Sequence, residues 1–188
     1  MKLNLGCGHN HMEGFLNVDK EIETKPDQQV DLEVFPWPFA DSVADEVMLS
    51  HVLEHLGADS QVFLGVMKEL YRVSKNDTPI TIAVPHPRHD SYLADPTHVR
   101  PVLPEMLNLF SRDLNLKWKE MGAANTTFAL YLDVDFKLEK LELTLDPKIQ
   151  TQMQDGHLSQ EDLEVLVKTH NNIVQTQTMV LRVIKNKK

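Results

Sequence analysis

Three stretches of this chain hold residue types that could do chemistry. The first is "HVLEH", residues 51–55. It fits H-x-x-E-H, a pattern in which two histidines bind zinc and a glutamate acts as base. His51, Glu54 and His55 can share one face of a helical turn, because positions i, i+3 and i+4 are neighbours there. A zinc peptidase also needs a further ligand and a substrate cleft, and no clear match follows downstream. The competing reading is local: Glu54 and His55 hydrogen-bond nearby and orient the turn.

The second stretch is "NLGCGHN", residues 4–10, a short strand running into a Gly-x-Gly turn. Glycine permits positive φ and lets backbone come close to a ligand. A dinucleotide fingerprint needs G-x-G-x-x-G. Here Gly6 and Gly8 match, but the third position falls on His11. No Gly-Lys-Ser/Thr follows either, so a triphosphate cradle is not supported. Asp19 ends the next strand, where a carboxylate can accept hydrogen bonds from both ribose hydroxyls. The two signals together favour a nucleoside without a pyrophosphate. Cys7, between the glycines, reads as a small residue packed under the turn rather than as a nucleophile.

The third stretch is "HPRHDSYLADPTHVRP", residues 86–101, with His86, His89, Asp90, Asp95, His98 and Arg100. Three readings stay open. A histidine can serve as general base beside an acceptor, since neutral imidazole takes protons near pH 7. His86, His89, His98 and an aspartate can bind a metal. Or these residues satisfy one another in an ordered loop. Arg88 and Arg100 would suit a carboxylate or phosphate on an acceptor.

Elements must position these groups. "KLNL", "FLNVD", "VDLEV", "DEVMLS" and "PITIAVP" read as five strands. "FPWPF" interrupts regular structure, because each proline removes a donor. Its aromatic residues wall a pocket or fill core. Val62, Val66, Leu70 and Val73 predict a helix over 59–74, capped by Asp59 or Ser60. Pro104 opens a short helix. Alternate apolar residues from Phe128 to Leu138 change phase near Glu139, which predicts strand structure with a bulge or a turn there. "SQED" at 159–162 has capping-box spacing ahead of a helix, and "IVQTQTMVLRVIK" reads as a last strand. The expected fold is α/β: a Rossmann-like, mostly parallel sheet with helices on both faces and an antiparallel C-terminal edge. Ligands in such folds gather at the carboxyl ends of strands, where Gly6, Asp19, Ser50 and Pro85 stand.

Composition sets the outer bounds. The chain has 188 residues, enough for one domain, and a formal net charge of −9. That charge argues against a nucleic-acid partner, since phosphate binding relies on Lys and Arg clusters. One cysteine permits no internal disulfide and suits a reducing compartment. No run reaches membrane-span length, and no signal-peptide pattern opens the chain. The expectation is a cytoplasmic protein without a membrane partner.

The ordered run "LNLGCG", "NVD", "DLEVFPWPFADSVADEVMLSHVLEHL" and "LYRVSKNDTPITIAVP" resembles a class I S-adenosylmethionine-dependent methyltransferase of the small type-11-like subgroup. The resemblance covers roughly residues 2–110. It implies S-adenosylmethionine as cofactor, with Asn4, Gly6, Cys7 and Gly8 in the loop beside the donor's methionine part. Asp19 would bind the ribose, and Asp31 and Leu32 would flank the adenine. Ser50 and His51 would close the pocket. "HVLEH" and "DPTHVRP" are phrases similar to ones in this family. His51 and His86 become the catalytic candidates, as acceptors of the substrate's proton. His89, Asp95, His98 and Arg100 become acceptor-side candidates, with no resident metal expected. The acceptor would be a small molecule or a surface-presented group. The family's acidic residue before the glycines is Asn4 here, and its third glycine is Asn10. Asp19 follows Gly6 by only thirteen positions, too few for the usual helix. Helices that normally precede the first strand are missing too, so a pocket open on one side is expected. The implied organisation is one domain over 1–188: a donor-binding core over 1–85, an acceptor-side loop and helix over 86–125, and C-terminal strands and helix over 126–188. The other readings are a nucleoside-binding or interaction module without catalysis, and a metal-dependent hydrolase.

Overall fold

A computed structural model describes residues 1–185. Seven strands form one sheet: β1 (Lys2–Leu5), β2 (Leu16–Asp19), β3 (Gln28–Gln29), β4 (Glu46–Ser50), β5 (Pro79–Pro85), β6 (Phe136–Leu145) and β7 (Val174–Val183). Their spatial order is β3-β2-β1-β4-β5-β7-β6. The first five are mutually parallel, and β7 runs antiparallel between β5 and β6. The Rossmann-like sheet with an antiparallel C-terminal edge is therefore the observed architecture. The chain leaves β1 toward β2 on one side and returns to β4 on the other, so the strand order parts beside β1. An open crevice forms at such a point, above the strand ends.

Only one long helix crosses between parallel strands, α1 (Ser60–Val73). The Asp59 side chain caps it by accepting from the Gln61 N–H at 2.6 Å. Val66, Met67, Leu70 and Val73 have no exposed surface, and they pack in one cluster with Leu3 and Leu5 of β1 and Ile80 and Ile82 of β5. Glu69 and Arg72 on the same helix clamp the "FPWPF" segment. Glu69 accepts from the Trp37 backbone N–H, and Arg72 donates to the carbonyls of Trp37 and Phe39. Trp37 and Phe39 are thus core residues, whereas Phe35 is partly exposed.

Between β1 and β2 there is no helix, only turns. Polar side chains take over the work of satisfying the backbone. Asn17 Oδ1 accepts from the Met12 N–H at 2.8 Å and from Asn4 Nδ2 at 2.9 Å. Asn4 Nδ2 also donates to the Asn10 carbonyl, and Asp27 Oδ2 accepts from both the backbone and side-chain N–H groups of Asn17.

Several elements differ from expectation. "VDLEV" is not a strand. The third strand lies just before it at Gln28–Gln29, and Asp31 Oδ1 accepts from the Glu33 N–H to make a turn. The alternation from Phe128 is a helix first, α5 (Phe128–Leu132), then β6. Phe128 and Leu132 stand four apart, so they share a helical face and reach the core as well as strand residues would. The register shift does fall between Leu138 and Lys140, at Glu139. Also present are α2 (Asp90–Leu93), α3 (Pro104–Asn108), α4 (Arg112–Glu120), α6 (Pro147–Gln154) and α7 (Gln160–Thr169). Of these, α2 is a single turn, and α4 and α6 are predominantly polar, each with one apolar i, i+4 pair, Leu114/Trp118 and Ile149/Met153. The Ser159–Asp162 capping box on α7 is formed. Among the described residues, no helix is long and apolar enough to cross a membrane.

Asn17→Ala should destabilise the protein by about 1–3 kcal/mol, the cost of orphaning buried partners, read as a lower urea midpoint at an unchanged slope. A pH series provides a second check. The Asn17 N–H groups hold Asp27 below the usual carboxylate range, and the Lys148 N–H does the same for Asp146. A depressed folded pKa means the unfolded chain takes up protons first. The stability these groups add is complete above the ordinary carboxylate pKa and should fall away as pH drops through the folded values.

Candidate functional site

The crevice beside β1 is a cavity of about 410 Å³, within the usual range for a ligand site. Gly6 from the end of β1, Asp19 and Lys20 from the end of β2, and His51 and Val52 from the end of β4 line one part of it. Val30, Asp31, Leu32 and Glu33 line the second part, and His55, Leu56 and Thr97 the third. The strand ends converge because all three strands are parallel and adjacent.

Each group in the cavity has a local cause. Gly6 has φ +66°, and a Cβ there would come within 2.6 Å of Val52 Cγ2. Only glycine turns the chain there without striking the β4 loop. Gly8 also has positive φ, +50°, but nothing stands near its missing Cβ. The Asp19 carboxylate accepts from the Gly8 N–H at 2.8 Å and from the Glu21 N–H at 2.9 Å. It is therefore fixed, with lone pairs left to accept from a ligand. Glu33 Oε1 accepts from the Gly57 N–H, tying the Asp31–Glu33 wall to the loop after β4.

His51 sits at the tip of β4 in the left-handed region, φ +56°. Its backbone N–H donates to the Ala83 carbonyl, which fixes the residue against β5. Its Nδ1 lies 3.4 Å from Glu54 Oε1. That carboxylate raises the imidazole pKa against the opposing effect of burial. Leu53–His55 form a 3-10 turn, so "HVLEH" is not the α-helical frame of a zinc peptidase.

The segment 95–101 folds directly onto this turn. The Glu54 carbonyl accepts from the N–H groups of Val99 and Arg100. His55 Nδ1 meets Thr97 Oγ1 at 2.9 Å, and the rings of His55 and His98 lie 4.6 Å apart. "HVLEH" and "DPTHVRP" thus build one structure, a fact that neither stretch discloses alone.

Other residues named from the sequence stand elsewhere. Asn4 is buried in the Asn17 network, and Cys7 is buried, with its thiol pKa raised by burial and by Asp19. Asn4, Cys7, Gly8 and Ser50 are next to lining residues without lining the cavity themselves. His86 does not line it either. Its Nδ1 accepts from the Arg88 N–H, and burial, Arg88 and His89 lower its pKa. Arg88 donates to the carbonyls of Val167 and Lys168 at the end of α7. Buried His89 bridges Ser91 and Asp146. Asp95 Oδ1 accepts from the Thr97 hydroxyl and N–H, and His98 Nδ1 is 2.8 Å from the Tyr92 carbonyl. Arg100 lies over the Phe63 ring, 4.4 Å from its centre, and donates to the Gly57 carbonyl. Lys20, Glu33, Val52, His55 and Thr97 are lining residues the sequence reading did not single out for a cavity. Glu33, Val52, His55 and Thr97 lie inside stretches the sequence singled out, but nothing in those stretches marked them as lining residues.

No family model matches the chain, and no curated protein matches it. Solved structures do. An S-adenosylmethionine-dependent methyltransferase from Archaeoglobus fulgidus superposes with a TM-score of 0.62 at 22% identity, over 96% of this chain and 85% of that one. A protein described as a type 11 methyltransferase from Sulfolobus solfataricus gives 0.51 at 12% identity, over 100% of this chain and 85% of that one. The [4+2]-cyclase SpnF gives 0.56 at 13% identity, over 98% and 75%. The fold is that of class I S-adenosylmethionine-dependent methyltransferases.

The two glycines separate conformation from contact. Gly6→Ala should cost about 2–5 kcal/mol, as left-handed strain adds to overpacking against Val52. Gly8→Ala should cost about 1–2 kcal/mol, from strain alone. Urea midpoints of the two variants check the order.

Proposed function

We propose that this chain, with its methyltransferase fold, binds S-adenosylmethionine in the β1/β4 crevice and transfers the methyl group to a small or surface-presented acceptor. One observation carries this reading: a glycine turn, a fixed Asp19 carboxylate and an imidazole share one cavity at the point where the strand order parts. Asp19 accepts from the ribose hydroxyls. The backbone at Gly6 lies beside the methionine part, with Cys7, Gly8 and the buried Asn4 holding the turn from behind. Asp31 and Leu32 flank the adenine, and His51 bounds the methyl end, with Ser50 behind it at the end of β4.

The chemistry is displacement at carbon. An acceptor lone pair forms the new bond to the methyl group as the carbon–sulfur bond breaks, and the electron pair returns to the sulfonium sulfur. The donor is already activated, so the protein's part is to align the two reactants. His51 takes the acceptor's proton. Glu54 beside it favours the protonated ring and so makes the imidazole a stronger base. His86 is a base only for an acceptor lying along the 86–101 segment, where His89, Asp95, His98 and Arg100 organise the wall. Residues 1–85 then serve the donor, 86–125 the acceptor side, and 126–188 complete the sheet. A cytoplasmic location fits the single buried cysteine.

A second reading, donor binding without methyl transfer, has its own support, because the same fold in SpnF belongs to a cyclase. Two measurements decide. Calorimetric titration should show S-adenosylmethionine binding that weakens about 10–100-fold in Asp19→Ala, the value of hydrogen bonds to a charged group. Labelled-methyl incorporation into an acceptor pool should then be lost in His51→Ala while donor affinity stays within a few-fold. Binding without incorporation in the parent protein favours the second reading. No binding to folded protein removes both.

A further inference from the structure

Glu54 poses a problem of charge. Its side chain is wholly buried, and neither carboxylate oxygen has a hydrogen-bond partner among the described residues. A buried carboxylate without compensation is costly. No lysine or arginine lies within ion-pair distance of it among the described residues. The nearest basic atom is His51 Nδ1 at 3.4 Å from Oε1, beyond a normal hydrogen bond. His51 is also half exposed.

Two imidazoles face the same spot. Glu54, His55 and His98 each offer a ligand atom within 4.8 Å of the other two. Their other nitrogens are spoken for. His98 Nδ1 sits 2.8 Å from the Tyr92 carbonyl, which can only accept, so this ring carries its proton on Nδ1 and keeps a lone pair on Nε2. His55 Nδ1 meets Thr97 Oγ1, whose own proton goes to Asp95 Oδ1 at 2.6 Å. Thr97 therefore accepts, and His55 too presents a lone pair on Nε2. Ligating histidines are held in this way, with the second nitrogen donating to an oxygen that sets tautomer and ring angle. His98 Nε2 also has Asp95 Oδ2 3.8 Å away, too far for a hydrogen bond, so neither Nε2 is hydrogen-bonded beside the uncompensated carboxylate.

We infer that Glu54, His55 and His98 form a divalent-cation site at the rim of the crevice, suited first to Zn²⁺. Two neutral imidazoles and one carboxylate are a borderline ligand set that zinc accepts, with a further position open. Ligands of a tetrahedral zinc stand about 3.4 Å apart, so three atoms within 4.8 Å of one another close in by at most about 1.4 Å on binding. His55 and Thr97 line the crevice, so a cation held by His55 would stand beside a ligand bound there. The set differs from the peptidase pattern, in which both histidines of 51–55 would ligate and the glutamate would not. The inference does not rest on methyl transfer, because metal binding is read without a donor.

The test uses full-length protein stripped with chelator and titrated calorimetrically with ZnCl₂ alone. One equivalent should bind, with Kd of about 1 µM or tighter. Glu54→Gln and His98→Gln should each weaken binding at least 100-fold. Thr97→Val, which removes the support of His55, should weaken it about 10-fold. His157→Gln, in the exposed turn before α7, should leave it unchanged. If Glu54→Gln fails to fold, His98→Gln and the visible spectrum of the Co²⁺-loaded parent carry the test, the spectrum showing the strong bands of a low-coordinate site. Absence of binding to the folded parent, or binding that His98→Gln leaves intact, would overturn the site.

Discussion

A parallel strand pair joined without a helix leaves backbone amides that something must satisfy, and in this protein the side chain of Asn17 does it. Asn17 is buried in β2 and bonds to Asn4, Met12 and Asp27 at once. That network pins the loop after β1 against the sheet. The pinned loop presents the Gly8 N–H to Asp19, and Asp19 in turn is fixed at the crevice. An amide network, rather than a helix, holds the short connection between β1 and β2. A half-satisfied network of this kind would be worse than an apolar one, so the Asn4–Asn17 pair is tied to the short connection.

The crevice combines two kinds of wall. The strand-end wall is rigid: Gly6 and Val52 are in contact, and His51 is bonded to β5 through its backbone. The other wall is made of loops held to one another by single polar bonds, Glu33 to Gly57 and the Glu54 carbonyl to Val99 and Arg100. A rigid strand-end wall facing a loop-built wall lets the loop side vary while the strand ends stay fixed. Glu54 joins the two. Its backbone anchors the 95–101 segment, while its carboxylate lies between the base candidate His51 and the histidines His55 and His98.

The opening question of "HVLEH" resolves through distance in sequence. Inside the motif, His51 and Glu54 meet as spacing allows. The partner that changes the chemistry is His98, which stands in another loop after an entire helix and strand. Arg88 and Arg100 show the same effect in reverse. As isolated residues they suit an anionic acceptor, yet in the fold one closes the end of α7 and the other stacks on Phe63.

Local signals sufficed where short-range chemistry governs. The α1 helix and its Asp59 cap, the glycine turn, the 159–162 capping box and the bulge at Glu139 were all legible in sequence, because each depends on residues a few positions apart. The order of α and β elements led to the parallel sheet and its antiparallel edge. Sequence failed where one pattern serves two geometries, as with Phe128 and Leu132, or where a turn replaced a strand, as at Asp31–Glu33. Strand-end positions pointed to Gly6, Asp19 and His51, and the family resemblance to Asp31 and Leu32; all five line the crevice. Only the tertiary structure decided which histidines turn toward the crevice, since that depends on hydrogen bonds between loops that are far apart along the chain and are brought together by the packing of the sheet.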